Sequence, residues 1–376
     1  MPTEPDWWFV EKDSKTISLY NQHCSISDIF KLVGSCTQTE RDFVTVRFNA
    51  SEVKQVVNDF YILDECSIIS KYECYDSRDW KVSKAKKDIV TNYDLGKIHT
   101  FNYRPFDCRY TFYTGNTRGF IGTPQLSIAQ NYLLGSNIGL SFSRQLISAH
   151  YAHVLITNTI TERCYISIKS RECAYNAPLY LYENQLQQVG STVAEYVKVP
   201  NFKQDFLTFI KEKYNHELTP EQILGYIYAV LHCPTYRKKY FEFLKVDFPR
   251  IPFLDRQYFD QLSKLGQLLI DHHLLKIHYP QKELSHLEPA GSNKIEKSEW
   301  VDGKMKINSN QYFTNISKEV WEFEIGGYKV LQHYLKDRKG RTIDYDEELH
   351  IGKTAKSLEE TIRLMKEIDF IAGEQI

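Results

Sequence analysis

The hydrophobic period changes once along this chain, near Asn201, and that change constrains the fold more than any other feature. Upstream, apolar and polar side chains alternate in short runs: "RYTFYT" (109–114), "NIGLSFS" (137–143), "HVLITNT" (153–159), "RCYISI" (163–168) and "PLYLY" (178–182). A period of two belongs to strands with one buried face. Downstream, "NFKQDFLTFIKEKY" puts Phe202, Phe206, Phe209 and Ile210 on one side of a helix, and the 3.6 period continues through "QILGYIYAVLH", "RQYFDQLSKLGQLLIDHHLL" and "SLEETIRLMKEIDFI". The expected class is α+β. A strand-rich mixed part, 1–185, precedes a helix-rich part, 186–376, that carries one small β element, "EVWEFEI".

Local signals sharpen this outline. "SEVKQVVNDFYI" predicts a helix capped by Ser51, with Val53, Val56, Val57 and Phe60 facing inward. Gly115-Asn116 predicts a turn after which "RGFI" returns as the second strand of a hairpin. Thr123-Pro124 predicts the start of a helix through "QLSIAQNYLL". Thr219-Pro220 followed by Gln222 reads as a capping box. "VDFPRIPF" should cross in extended form, residues 283–300 read as an exposed loop, and Gly326-Gly327 should turn the chain into the helix "YKVLQHYL". His272-His273 reads as an exposed helix corner.

Composition bounds the function. Lys and Arg total 47 against 48 acids, so any nucleic-acid surface has to be local. The 8 cysteines form no CxxC pair, and "MPTEPDWWFV" carries no secretory signal, which together suggest reduced thiols in a cytoplasm. No apolar run approaches the ~18 residues of a membrane span.

Catalytic motifs are missing. The chain has no Pro-Pro dipeptide, no GxGxxG and no GxxxxGK[ST], which argues against methyl transfer and nucleotide hydrolysis within it. Asp42 with Glu52-x-Lys54 resembles a metal-nuclease pattern, but Glu52 and Lys54 open a helix instead of following a strand. His150 and His153 have helical spacing in a stretch that reads as strand, so no metal site is expected from them.

Recognition chemistry remains. "YRPFDCRYTFYTGNTRGF" (103–120) holds six aromatics, three arginines and one acid, Asp107. Arg104 and Arg109 are either phosphate contacts or partners of Asp107. Arg118 follows the Gly-Asn turn with no acid nearby in sequence, and Arg144-Gln145 leaves the end of a strand. Arginine and glutamine both read base edges in bidentate fashion, so Arg118, Arg144 and Gln145 are the candidate base readers. Arg78, Lys81, Arg104, Arg109, Lys169, Arg171, Lys339 and Arg341 are the candidate backbone contacts. The plain alternatives are surface ion pairs and, for Lys339 and Arg341, cations at a helix C-terminus.

Several stretches carry a family likeness: "YRPFDCRYTFYTGNTRGF", "IGLSFSRQ", "HVLITNTI", "NAPLYLY", "YIYAVLHCPTYRKKYFEFLKVDFPRIPF" and "VWEFEIGGYKVLQHYLKDRKGRTI". In this order they resemble the C-terminal specificity region of type ISP restriction–modification enzymes and their single-chain type II relatives. The likeness runs from "WWFV" almost to the end. It implies a target recognition domain that binds double-stranded DNA and positions it for an adenine-N6 methyltransferase, with a nuclease and motor further upstream. S-adenosylmethionine and magnesium would belong to those modules, and none of their segments is present here. Two other readings stay open: a cryptic metal-dependent nuclease, and a protein-interaction scaffold.

Overall fold

A computed structural model describes residues 14–184 and 196–376. The "WWFV" stretch and the 185/186 division lie outside them. The class is α+β, with several small sheets among many helices.

A first lobe forms around residues 44–160. Its sheet has the strand order Val46–Arg47, Asp107–Phe112, Ile98–Arg104, Ile160–Thr161, with only the last pairing parallel. Helices Ala50–Ile62 and Val82–Thr91 lie against it. Val53, Val56, Val57 and Phe60 are buried as the i, i+3, i+4, i+7 pattern requires. Each such side chain contributes about 1.5–3 kcal/mol by leaving water. The cap, however, is Asn49 instead of Ser51. Asn49 Oδ1 accepts the Glu52 amide at 2.9 Å, and Ser51 merely donates its hydroxyl to Asn49 at 2.6 Å.

The second sheet is antiparallel throughout: Gly34–Ser35, Ala174–Pro178, Gly139–Ser143, Val154–Thr157. Every residue of its two strands Gly139–Ser143 and Val154–Thr157 is buried, so the alternating pattern does not mark a wet face here. The polar positions are instead satisfied internally, as where Asn176 donates to Ser141 Oγ at 2.9 Å. Helices Pro220–His232, Arg256–His273 and Tyr345–Ala372 complete this core. The capping box at Thr219 and Gln222 forms as the sequence indicates. Leu140, Phe142 and Ile156 share one core with Ile223, Leu262 and Leu364, so packing joins the strand-rich and helix-rich parts.

Several local expectations are corrected. "RGFI" forms no strand; Asp107–Phe112 takes Ile98–Arg104 as its hairpin partner across Pro105-Phe106. Thr123 pairs with Gln38, and the helix starts later, at Leu126. "RCYISI" is largely turn and bend. Residues 283–300 are not a simple exposed loop: Leu284 and Ile295 are buried, and Leu287–Glu288 and Glu299–Val301 join a four-stranded sheet with Lys304–Lys306 and Tyr312–Phe313. "EVWEFEI" is a helical turn, Lys318–Trp321, before Glu324–Ile325 pairs with Tyr328–Lys329. His272 and His273 are buried, because the helix ends against Tyr279 and Tyr345–Ala372. Among the described residues no helix is long and apolar enough to cross a membrane.

Candidate nucleic-acid interface

Arg118 sits on a loop whose shape comes from one buried carboxylate. Asp88, near the end of helix Val82–Thr91, is 5% exposed. It accepts from Thr114 Oγ1 at 2.9 Å, Asn116 Nδ2 at 2.7 Å, the Phe120 amide at 2.8 Å and Asn92 Nδ2 at 3.0 Å. Trp80 Nε1 donates to the Phe120 carbonyl at 3.0 Å, so both backbone groups of Phe120 are held. A Cβ at Gly119 would lie 2.2 Å from Asp88 Oδ2, so only glycine lets the loop close over the carboxylate. Between these anchors Arg118 is exposed in the left-handed region, φ 57°. That conformation is unfavourable for a residue with a Cβ and persists only where the surroundings impose it. Arg118 makes no ion pair among the described residues, and it lines an open groove with Lys84 and Lys87.

A second carboxylate organises two more loops. Glu172 has no exposed surface. One oxygen accepts from the Ile147 amide at 2.8 Å, the Ser148 amide at 2.7 Å and Ser148 Oγ at 2.7 Å. The other accepts from His153 Nε2 at 2.9 Å and Ser167 Oγ at 2.7 Å. Burial works to raise the carboxyl, but the bonds from Ser167, Ser148, His153 and Ile147 outweigh it and take it down to about 2. The Glu172 anion therefore fastens the loop bearing Arg144 and Gln145 to the loop bearing Lys169 and Arg171. All four of those side chains are exposed. Lys169 Nζ also donates to Ser148 Oγ at 2.6 Å, a second tie between the loops.

Contacts run from one cluster toward the other. The Arg118 amide donates to the Gly122 carbonyl at 2.8 Å, and Thr123 pairs with Gln38. Gln38 accepts from Arg163 Nη1, and the Arg163 carbonyl accepts from the Ala174 amide at 2.8 Å, two residues past Glu172. Three further candidates have ion-pair partners. Arg144 meets Asp247, Nε to Oδ1 3.0 Å, an acid that is distant in sequence. Arg78 pairs with Asp79 at 2.7 Å and Lys81 with Asp76 at 3.4 Å. Exposed pairs of this kind are worth about 0–1 kcal/mol, so a phosphate can replace the acid at little cost.

Arg104 and Arg109 are engaged in ion pairs within the fold. Arg104 Nη1 reaches Glu162 at 2.8 Å and its guanidinium lies over the Tyr103 ring. Arg109 Nη2 reaches Asp107 at 2.6 Å and Asp337 at 2.7 Å. Asp107, 3% exposed, is also bound by Arg338 at 2.8 Å. Burial works to raise its carboxyl, but Arg338 and Arg109 hold it down at about 2. These guanidinium groups join the first lobe to helix Val330–Asp337 and are taken up by acids. Lys339, exposed, and Arg341 lie just past that helix, where Arg341 stacks over Phe48 at 4.0 Å and approaches Glu52 at 3.8 Å.

The family model for the type ISP C-terminal specificity domain matches residues 28–367. This chain belongs to that family. No curated protein matches the sequence significantly. Among solved structures, the specificity domain described here is similar to the ATP-dependent type ISP restriction–modification enzyme LlaBIII bound to DNA. The TM-score is 0.74 at 18% identity over 98% of this chain and 25% of that one. A nuclease-deletion mutant of the type ISP enzyme LlaGI, in complex with a DNA substrate mimic, gives 0.69 at 19% identity over 98% of this chain and 36% of that one. The DrdV–DNA complex gives 0.66 at 21% identity over 90% of this chain and 36% of that one. At these identities the likeness is one of fold, and the chain spans 25% to 36% of the length of these neighbours.

Within the specificity domain the nuclease-like residues are occupied otherwise. Asp42 accepts from Tyr103 at 2.8 Å and lies 3.5 Å from Arg104. Glu52 serves its own helix cap, accepting from Asn49 Nδ2 at 2.9 Å. The residues that sequence reading missed are Asp88, Glu172 and Gly119. Each acts on partners brought in by the fold, and no local pattern marks them. The only hint was the lone acid closing the basic run "KVSKAKKD".

Proposed function

We propose that this chain recognises a specific double-stranded DNA sequence and positions it for an adenine-N6 methyltransferase and a nuclease carried by separate modules. One observation carries the reading: cationic and amide side chains stand exposed on loops that buried carboxylates hold rigid. Rigid loops lose little entropy on binding, which is what base discrimination needs. Arg118, Arg144 and Gln145 are the proposed base readers; Arg78, Lys81, Lys169, Arg171, Lys339 and Arg341 the proposed phosphate contacts. Membership in a specificity-domain family, and fold neighbours whose structures contain DNA, support the same reading. S-adenosylmethionine and magnesium are proposed to act only in the companion modules, and the chain alone is proposed to neither methylate nor cut.

The test is binding of the chain to a randomised duplex pool at two salt concentrations. Enrichment of one sequence, with affinity falling steeply as salt rises, supports the reading. Absence of binding at low salt, or binding without preference, overturns it.

A further inference from the structure

Two large aliphatic side chains stand in water where the proposed reading loops meet. Ile147 is 56% exposed and Ile168 is 63% exposed. They belong to different loops, yet the same carboxylate holds both. Glu172 accepts the Ile147 amide through one oxygen and Ser167 Oγ, one residue before Ile168, through the other. The two isoleucines therefore stand on loops fastened to the same carboxylate, Ile147 following Arg144 and Gln145 in its loop and Ile168 preceding Lys169 and Arg171 in the other, where it also lines a pocket with Tyr103 and Arg104.

Both loops are also fixed from behind. The Gly326 amide donates to the Ala152 carbonyl at 2.7 Å, and the Gly327 amide donates to the Ile166 carbonyl at 3.0 Å. The Gly-Gly turn thus grips both loops at once. A Cβ at Gly326, where φ is 58°, would lie 1.9 Å from the Ile166 oxygen, so the close approach depends on glycine.

We infer that Ile147 and Ile168 contact thymine C5-methyl groups in the major groove, and so add an apolar component to sequence readout. The inference rests on the DNA-recognition reading and names residues for it. Exposed aliphatic side chains on loops that also carry exposed cations suit no wholly polar partner and no wholly apolar one. The major groove offers both chemistries side by side: phosphates along its walls, and on its floor the thymine methyl as the apolar mark of an A·T pair. Arginine and glutamine beside it supply the hydrogen bonds to purine edges, and isoleucine supplies the contact that they cannot make.

The experiment replaces thymine by deoxyuridine, one position at a time, in the sequence selected by the full chain. The change deletes one methyl and leaves pairing intact. Loss of one buried methyl group should weaken binding about fourfold at one or two positions. Ile147→Ala and Ile168→Ala should each bind the thymine site more weakly and become insensitive to deoxyuridine at their own position, with unchanged melting temperature. Sequence-specific binding that is indifferent to deoxyuridine everywhere overturns this inference and leaves the recognition reading standing. So does a deoxyuridine penalty that persists in both variants. A chain that selects no sequence overturns both together.

Discussion

His153 Nε2 lies 2.9 Å from the Glu172 carboxylate, and neither side chain has any exposed surface. Burial pushes the imidazole below its ordinary value of 6.5 despite the adjacent anion. His153 is therefore neutral near pH 7, with its hydrogen on Nε2 and its other nitrogen accepting from the Ala152 amide at 3.4 Å. The pair is an anion held by neutral donors, and both loops hang from it.

Glu172→Gln should therefore loosen two loops at once. The amide supplies one acceptor oxygen where the carboxylate supplies two, and its NH₂ opposes the His153 donor. Loss of charge-assisted bonds of this kind costs about 2–3 kcal/mol. Thermal unfolding should register the cost, and hydrogen exchange should rise at Ile147 and Ser148. Unchanged exchange at those amides would refute the organising role.

Acid should destabilise the chain in two stages. Burial, with help from neighbouring cations, lowers His273 to about 3 and His23 to about 4. The folded state thus refuses protons that the unfolded state accepts below 6.5. Stability is intact above that pH and falls from 6.5 downward, by at most about 1.4 kcal/mol per pH unit for each such histidine. Glu172 works in the same direction in a lower window. Its folded value of about 2 lies below the ordinary 4.5, so its contribution is complete above 4.5 and disappears as pH falls toward 2. Urea midpoints measured from pH 8 to pH 3 should show both stages, and Glu172→Gln should flatten the second.

Asp107→Asn should be among the most damaging single changes. It leaves Arg109 and Arg338, both nearly buried, without the carboxylate between them. Removing one partner from such a cluster costs about 3–5 kcal/mol. The chemical denaturation midpoint measures it. A loss below 1 kcal/mol, on the same scale as an exposed pair, would mean that Asp337, 2.7 Å from Arg109, and Glu347, 3.3 Å from Arg338, suffice for the two cations.

Gly119→Ala should weaken DNA binding without touching DNA. Its methyl would intrude on Asp88, and relief requires the loop to move at a cost of about 1–3 kcal/mol. Arg118→Ala should relax the preference at one base pair and cost about 1–3 kcal/mol on the selected site. Gly119→Ala should blur the same position. Pool selections with the two variants side by side compare them, and blurring at different positions would separate the loop from the reader.

Readers and grippers should part under salt. Arg144→Ala should change the selected sequence, because its Asp247 pair is exposed and easily exchanged. Lys339→Ala should weaken selected and random duplexes alike and lower the salt slope by about one unit. A change in selected sequence from Lys339→Ala would reverse the two assignments.

The sequence was legible where the deciding interactions are local. The capping box at Thr219 and the buried face of Val53, Val56, Val57 and Phe60 follow from spacings within one helix. It was illegible where distant groups compete. Ser51 lost its cap to Asn49 by two positions, a contest of local bonds too close for spacing to settle. "RGFI" lost its strand to Asp88, 30 or more residues upstream, and to the indole of Trp80. His272 and His273 were misplaced because their burial depends on Tyr345–Ala372, a helix whose first turns carry no strong apolar stripe. Arg118, Arg144 and Lys169 are exposed, whereas Arg109 took the alternative that Asp107 offered and Arg104 pairs with Glu162 and Asp42, acids far from it in sequence.

The Arg118 loop keeps its instructions at its ends. Thr114, Gly119 and Phe120 are bound or crowded by Asp88, while the side chains of Thr117 and Arg118 make no hydrogen bond or ion pair among the described residues. Substitutions there that keep the Arg118 amide and tolerate its left-handed backbone therefore leave the foundation undisturbed. If the proposed reading holds, a lineage under pressure to change its target can revise what this loop says while the sentence structure around it stays the same, and an engineer can attempt the same revision at 117 and 118 before altering any other part of the chain.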